Sequence, residues 1–174
     1  LGLTDTVKII FNRVLNRRLT TGVLDRVLVG DVCRKRDTGG TYNAEDAKRE
    51  QRRYEGGEIV VTGPMWGPKM RRATDEAGLL EADVLAATGL SDEAFSRIGH
   101  LAAGARRPLL VWPTEVAVAA VDDDDEAVSV RFTLPSGSFA TVFVHELIGP
   151  LSPEESARYG VPPVAPVRPA REES

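Results

Sequence analysis

Residues 131–149, R-F-T-L-P-S-G-S-F-A-T-V-F-V-H-E-L-I-G, predict a strand, a turn of small residues and a helix. Apolar and polar residues alternate from Val128 to Phe132, which is the two-residue period of a half-buried strand. Pro135 has no N–H for strand pairing, and the three small residues after it provide a turn and a capping hydroxyl. Apolar residues then recur at helical spacing from Phe139 onward. Phe139 is therefore either a core residue or a platform on which a flat substrate stacks.

The rest of the chain has the pattern of an α+β protein. Helices are predicted at residues 5–21, 44–54, 73–88 and 91–103, and strands at residues 26–35, 58–61, 107–112, 115–121 and 127–134. We expect the last three strands to form one antiparallel group that completes a sheet. Residues 62–68 contain two glycines and two prolines, so an irregular loop is predicted there. Trp66 in that loop is expected to pack rather than to face a ligand.

Charge is distributed unevenly along the chain. Residues 1–72 contain 15 Lys and Arg against 9 Asp and Glu, whereas residues 73–174 contain 7 against 17. A polyanion would therefore meet the first part of the chain. The candidate contacts to RNA phosphate are Arg13, Arg17, Arg18, Arg34, Lys35, Arg36, Arg52, Arg53, Arg71 and Arg72; a merely solvated surface is the alternative for each of them.

Composition excludes several classes of protein. No apolar run approaches the roughly 18 residues that a membrane span needs. One cysteine, Cys33, cannot form an internal disulfide, and with two distant histidines it does not predict a zinc site. The acidic run at residues 122–125 lacks the ligand spacing of a calcium loop, so a hairpin turn is expected. Asp31 is expected in a turn or bulge rather than at a metal. A reducing cytoplasm fits these features.

Four stretches resemble the tRNA pseudouridine synthase D (TruD) family, in the order in which that family has them. They are residues 11–15 (FNRVL), 62–67 (TGPMWG), 104–109 (GARRPL) and 134–147 (LPSGSFATVFVHEL). The resemblance covers about residues 4–149. It implies isomerisation of a tRNA uridine, at position 13, to pseudouridine by an essential Asp, with tRNA as partner and with no metal or organic cofactor. The protein is expected to be a monomer.

The parts of the family pattern that are missing define an expectation about the domains. The Gly-x-Lys-Asp-Arg segment that carries the family's nucleophilic Asp is absent, as is its NYFGxQRFG motif. We therefore expect the C-terminal portion of a longer enzyme, inactive alone. Residues 1–105 would be the insertion domain, with helices and short strands. Residues 106–149 would supply antiparallel strands and a helix that complete the catalytic sheet, and residues 150–174 a Pro-rich flexible tail.

The same resemblance indicates which residues bind substrate. A uridine in folded RNA must be unstacked before its sugar carbon can be reached, and an aromatic ring can stack on the flipped base. The expected substrate-binding residues are Phe139, Ser138, Gly137, Arg107 and Arg131, with the arginines pairing with the missing Asp or with phosphate. His145 departs from the family, which has Arg there. A non-catalytic RNA-binding module with the same fold is the alternative, and a purely structural α+β domain is a third.

Overall fold

Helices and antiparallel strands are mixed along the chain, which confirms the predicted α+β class. The computed structural model describes residues 3–97, 103–121 and 124–135, together with residues 138, 140, 143, 144, 147 and 149. Its helices are α1 (Leu3–Thr20), α2 (Ala47–Glu55), α3 (Asp75–Ala86) and α4 (Asp92–Arg97). Its strands are β1 (Val32–Lys35), β2 (Thr41–Asn43), β3 (Ile59–Met65), β4 (Ala105–Pro108), β5 (Thr114–Val121) and β6 (Asp124–Thr133).

The chain divides into two compact units, Leu1–Leu110 and Val111–Ser174. The boundaries predicted from the sequence, at residues 105/106 and 149/150, stay predictions. The proposed tail, residues 150–174, lies outside the described residues. Among the described helices, none is long and apolar enough to cross a membrane.

The first unit contains an antiparallel sheet with the strand order β2-β1-β3-β4. Cys33 of β1 pairs with Tyr42 on one side and with Val61 on the other, and Gly63 of β3 pairs with Arg107 of β4. The expected grouping of residues 107–112 with the two later strands is therefore wrong. Pro108 and Pro113 interrupt the backbone donors on both sides of residues 109–112, so β4 ends early and pairs only with β3 in the described sheet.

The strand predicted at residues 26–35 is also shorter than expected, because only its last four residues pair. Gly30 has φ +84°, and a Cβ on it would lie 1.9 Å from the carbonyl oxygen of Thr74. Thr74 donates its backbone N–H to the Gly30 carbonyl at 3.0 Å. Gly30 thus joins the turn before β1 to the start of α3, a close approach that only glycine permits.

Helix α1 contacts two hydrophobic clusters because its apolar residues recur at positions 7, 10, 11 and 14. Val7, Ile10 and Val14 pack with Trp66 and residues of α3. Phe11 packs with Cys33, Ile59, Val61 and Leu109 of the sheet region and with Tyr54 of α2. The apolar face of this one helix therefore contributes to both parts of the core.

Arg18 continues the buried face of α1 and is a correction to the predicted basic surface. Its accessible surface is 0%, and its guanidinium forms an ion pair with the equally buried carboxylate of Asp31. Asp31 also accepts a hydrogen bond from the backbone N–H of Leu28 at 2.8 Å, which is the turn role predicted for it. Burial raises the pKa of Asp31, and the charge of Arg18 opposes this shift. Arg18 is therefore not available for phosphate.

A second buried ion pair joins β4 to α3. Arg106 donates from Nη1 to Oε2 of Glu81 at 2.9 Å and from Nη2 to Oε1 at 2.7 Å, which is a bidentate arrangement. Arg106 Nε also donates to the Thr62 hydroxyl at 3.1 Å, and that hydroxyl donates to the Val32 carbonyl. Burial raises the pKa of Glu81, whereas Arg106 lowers it. Thr62, Arg106 and Glu81 thus tie β1, β3, β4 and α3 together; we call them the Thr62 network.

The second unit is built on a β-hairpin. Val118 pairs with Val130 and Ala120 with Val128, so these apolar residues share one face of β5 and β6. Val121 pairs with Asp124, which fits the turn predicted in the acidic run, although residues 122 and 123 lie outside the described residues. Residues 140, 143, 144 and 147 have helical backbone, and the Phe143 ring meets Phe132 edge-on with centroids 4.4 Å apart. The strand and the helix predicted at residues 127–134 and from Phe139 onward are therefore in contact.

We expect Glu81→Ala to lower the free energy of unfolding by about 3–5 kcal/mol, because it leaves the buried Arg106 guanidinium without its carboxylate. Urea denaturation measures this change. Asp83→Ala on the exposed side of the same helix is the control and should change stability by less than about 0.5 kcal/mol. Equal effects of the two substitutions would contradict the structural role of the Thr62 network.

Candidate nucleic-acid interface

The segment from Thr62 to Gly67, TGPMWG, is mostly strand rather than the predicted loop. Its first four residues belong to β3. Pro64 is fully buried and pairs with Arg106, although it lies beyond the three residues that β1 pairs with, Ile59 to Val61. At Pro64, β3 therefore has a neighbouring strand on one side only. The missing N–H of the proline is tolerated there.

Gly63 makes room for the FN segment of α1. A Cβ at this position would lie 2.7 Å from Leu109 Cδ2 and 2.9 Å from Phe11 Cε2. The Phe11 ring therefore packs directly on the backbone of β3. This contact explains why an aromatic residue on α1 and a glycine on β3 occur together.

Trp66 packs in the core, as predicted, with 3% of its surface accessible. Its indole N–H donates to Oδ1 of Asp92 at 2.7 Å, which connects the end of the TGPMWG segment to α4. Arg72 lies over the indole ring at 5.8 Å and forms an ion pair with Asp92 at 3.1 Å. The indole is therefore a structural element and not a stacking surface for RNA.

Gly67 ends the segment at a close backbone approach. A Cβ on Gly67 would lie 2.3 Å from the backbone nitrogen of Gly104, which has φ +87°. Lys69 donates its backbone N–H to the Ala103 carbonyl at 2.7 Å beside this contact. The start of the GARRPL stretch is thereby fixed against the end of TGPMWG.

Arg107 is half-buried, and its guanidinium lies over the Phe11 ring at 5.4 Å. Arg106 and Arg107 are neighbours in a strand and therefore point to opposite faces of the sheet. Arg106 belongs to the Thr62 network, whereas Arg107 lies on the side of α1. The two arginines of GARRPL thus have different environments, and only Arg107 is an expected substrate-binding residue.

The other expected substrate-binding residues belong to the second unit. Arg131 is exposed on β6, paired with Ala117, on the face opposite Phe132. Ser138 donates its backbone N–H to the Pro135 carbonyl at 3.1 Å, so this amide already closes the turn. Phe139, Gly137 and His145 lie outside the described residues. The assignment of these five residues to substrate binding therefore stays a prediction.

The basic surface is smaller than the sequence predicts, because several of its cations have partners inside the protein. Arg71 donates to the Asn43 side chain at 2.7 Å and to the Thr41 carbonyl at 3.0 Å. Arg36 donates to the Gly57 carbonyl at 3.4 Å, and Arg72 pairs with Asp92. In the described part of the chain, no side-chain acceptor or ion-pair partner is found for Arg13, Arg17, Arg34, Lys35 and Arg52.

A cavity of about 360 Å³ lies between α2 and the edge strand β2. Lys35, Thr38, Tyr42, Arg49, Glu50 and Arg53 are among the residues that line it. Glu50 is fully buried; its Oε1 accepts from Arg49 Nε at 2.8 Å, and its Oε2 accepts from Arg53 Nη1 at 2.8 Å and from the Tyr42 hydroxyl. Arg53 also donates to Tyr42 at 2.8 Å and to Glu58 at 3.0 Å.

The electrostatics of this cavity keep Glu50 ionised. Burial alone would raise the pKa of Glu50, but the hydrogen bonds from Tyr42 and Arg49 and the charge of Arg53 lower it below its ordinary value of 4.5. Burial, together with the hydrogen bond to Glu50, raises the pKa of Tyr42. A carboxylate and a neutral phenol therefore hold the two arginines at neutral pH.

Cys33 is not a candidate nucleophile or metal ligand. The thiol is free and buried, and burial raises its pKa to about 12, so it stays protonated at neutral pH. No cluster of three or more His, Cys, Asp or Glu side chains that could hold a metal occurs among the described residues.

The sequence profile of the tRNA pseudouridine synthase D (TruD) family matches residues 8–147. The chain belongs to the TruD family. A tRNA pseudouridine synthase D of Anaeromyxobacter dehalogenans is 39% identical over 147 residues, which is 84% of this chain and 41% of that protein. One of Geobacter sulfurreducens is 40% identical over 140 residues, which is 80% of this chain and 33% of that protein.

A solved structure also resembles the chain. It is a putative tRNA pseudouridine synthase D (TruD) from Methanosarcina mazei, with a TM-score of 0.59 and 25% identity over 79% of this chain and 35% of that chain. The chain therefore spans about a third to two fifths of the length of these TruD proteins, 33% to 41%.

The contacts that give the TruD motifs their structural role were not identified from the sequence. Arg18 could have been recognised, because it follows Val7, Phe11 and Val14 at helical spacing on the buried face. Glu81 and Arg106 carry no such signal, since a charged residue is ordinarily assigned to the surface. The cavity between α2 and β2 carries no signal in the sequence, since a strongly charged helix is ordinarily assigned to the solvent-exposed surface.

We expect Glu50→Gln to lower the free energy of unfolding at pH 7 by about 2 kcal/mol, since the charged acceptor of Tyr42, Arg49 and Arg53 is lost. The folded-state pKa of Glu50 is lowered, so its contribution is present above its ordinary pKa of 4.5 and lost as the pH falls through the folded-state value. The difference between wild type and variant in urea denaturation should therefore shrink as the pH falls further below 4.5. A difference that grows on acidification would contradict this assignment.

Proposed function

We propose that the protein acts as a tRNA pseudouridine synthase that isomerises a uridine of tRNA, at position 13, to pseudouridine. The observation that carries this proposal is the match of residues 8–147 to the TruD family, supported by relatives that bear the same name. The reaction breaks the N-glycosidic bond of the uridine and re-forms the link through carbon. The proposed partner is tRNA, and the proposed enzyme is a cytoplasmic monomer without a metal or an organic cofactor.

In this proposal the chain supplies substrate binding and not the nucleophile. The Gly-x-Lys-Asp-Arg segment that the TruD resemblance requires is not in the 174 residues. Residues 1–105 are assigned to the insertion domain and residues 106–149 to the end of the catalytic domain. The chain's share of its relatives' length, 33% to 41%, is consistent with such a division.

The exposed apolar face of the hairpin supports its assignment to a larger domain. Val116, Val118 and Val128 are 51%, 67% and 68% exposed, and pairing puts Val118 and Val128 on the same face. A two-stranded ribbon is marginally stable alone, and an apolar strand face is normally covered. Further strands of a catalytic domain would cover this face.

Phe139 is the proposed platform for the flipped uracil. The contact between Phe132 and Phe143 anchors the helical segment against β6, and the Ser138 amide closes the preceding turn on Pro135. A ring at position 139 would stack on the base for roughly 1–3 kcal/mol. Ser138 and Gly137 would shape the turn beside the base.

Arg107 and Arg131 are proposed to bind the anionic groups of the site. The stacking of Arg107 on Phe11 limits the freedom of its guanidinium and leaves it suited to a carboxylate or a phosphate. Arg131 is exposed on the polar face of the hairpin, so a phosphate of the RNA backbone is its expected partner.

We expect the isolated 174-residue chain to give no turnover, and a protein that joins it to the Asp-bearing part of a TruD relative to convert uridine in tRNA. Release of tritium from uracil-labelled tRNA measures turnover. Turnover by the isolated chain would refute the assignment. Tight tRNA binding without turnover by the joined protein would favour a non-catalytic RNA-binding module.

We expect Phe139→Ala in the joined protein to reduce kcat/KM by about tenfold or more while the melting temperature changes little, because the ring is assigned to the substrate. A stacking contribution of roughly 1–3 kcal/mol corresponds to this range. Phe143→Ala is the matched control: its ring contacts Phe132, so it should lower the melting temperature. If Phe139→Ala greatly lowers the melting temperature while the folded fraction retains turnover, Phe139 is a core residue and not a stacking platform.

A further inference from the structure

The cavity between α2 and β2 contains more positive than negative charge. Three cations, Lys35, Arg49 and Arg53, and one carboxylate, Glu50, line it. Both oxygens of the carboxylate accept hydrogen bonds from the arginines or from Tyr42, and the carboxylate itself is fully buried. The charged groups exposed in the cavity are therefore cationic, although a carboxylate lies beneath them.

The buried carboxylate also fixes the direction of the arginines. Only the Nε atom of Arg49 donates a hydrogen bond to Glu50, and the Arg49 side chain is 57% exposed. No acceptor in the described part of the chain is found for the Nη atoms of Arg49 or for the ammonium of Lys35. The bond from Nε limits the freedom of the Arg49 guanidinium, which reduces the entropy that this side chain loses on binding a ligand.

The rim and the size of the cavity indicate the class of ligand. The rim is formed by the loop before β2, with the Thr38 hydroxyl and with Gly40. A volume of about 360 Å³ holds a phosphate with part of a sugar. Guanidinium and ammonium groups, both of which line this cavity, suit phosphate oxygens.

We propose that this cavity is a binding site for a backbone phosphodiester of RNA, with Lys35 and Arg49 as the contacting residues and Glu50 and Tyr42 as residues that position the arginines. This inference rests on the proposed function, because tRNA is the polyanion that the enzyme would hold. The site lies in the first unit, and it would fix the position of the tRNA without reading the target base.

The test compares tRNA binding by three forms of the 174-residue chain: wild type, the double variant Lys35→Ala/Arg49→Ala and the double variant Lys48→Ala/Arg52→Ala. The second double variant removes the same charge from exposed positions of α2 that do not line the cavity. Fluorescence anisotropy with labelled tRNA is measured over a series of salt concentrations, and circular dichroism checks that each form is folded.

We expect the cavity variant to bind tRNA about tenfold more weakly, with the slope of log K against log salt reduced by about one for each lost contact. The control variant should lose less than half as much on the logarithmic scale. If Arg49→Ala disturbs folding, Lys35→Ala alone should still weaken binding severalfold, because Lys35 has no partner in the described part of the chain.

Equal weakening by both double variants would overturn the site and leave only a diffuse basic surface, while the proposed function would stand. Displacement of tRNA by low millimolar inorganic phosphate would assign the cavity to a free phosphate and overturn the RNA assignment. Absence of tRNA binding by the wild-type chain would also overturn it. The proposed function is judged separately, by turnover of the joined protein.

Discussion

The Thr62 network is the constraint on which the first unit depends. A buried guanidinium has no water to solvate it, so every element around Arg106 must provide an acceptor. Glu81 of α3 supplies a bidentate carboxylate, and Thr62 of β3 supplies its hydroxyl while donating to Val32 of β1. In such a network, one buried polar group without a hydrogen-bond partner costs free energy. A buried ion pair adds little net stability, and its main effect is to favour one arrangement of the elements it joins. The network therefore fixes the register of β4 on β3 and the position of α3, and hydrophobic burial along α1 provides the driving force.

The TruD motifs in the first unit are explained by this packing rather than by chemistry. Thr62 is the centre of the hydrogen bonds, Gly63 leaves space for Phe11, and Trp66 fills the core and bonds to Asp92. Gly67 permits the approach of Gly104, which starts the strand that carries Arg106 and Arg107. The order of the motifs along the chain thus follows from their contacts. A resemblance to an enzyme family at these positions identifies the fold of a domain and does not by itself locate the reaction.

The spacing of apolar residues was enough to predict α1, α2, α3 and the hairpin strands. In an amphipathic helix or strand, the residues on the buried face recur at the period of that structure. It failed where tertiary contacts overrule local preference. Pro64 suggested a loop, yet it lies in β3. Only β4 pairs with β3 at this position, so the missing N–H of the proline interrupts no pairing with a second strand. Arg18 and Glu81 suggested a surface, yet each is buried against a partner that is distant in the sequence. The cavity could not be predicted for the same reason, since the contacts between Tyr42 and α2 depend on how the edge strand docks.

In the proposed function, the alternation of side chains along β6 separates two roles within the second unit. Phe132 faces the helical segment through Phe143, and Arg131, the preceding residue, points to the other face of the hairpin. A base held by the helical segment and an anion held by Arg131 would therefore meet opposite faces of the same two strands. Such a division suits a flipped nucleotide, whose base leaves the helix while the backbone on either side keeps its phosphates outside the pocket. The hairpin would then keep the base on one face and the phosphates on the other. This separation requires a rigid hairpin. Because a two-stranded ribbon is not rigid alone, the exposed valines on the Phe132 side must be covered before the division can operate.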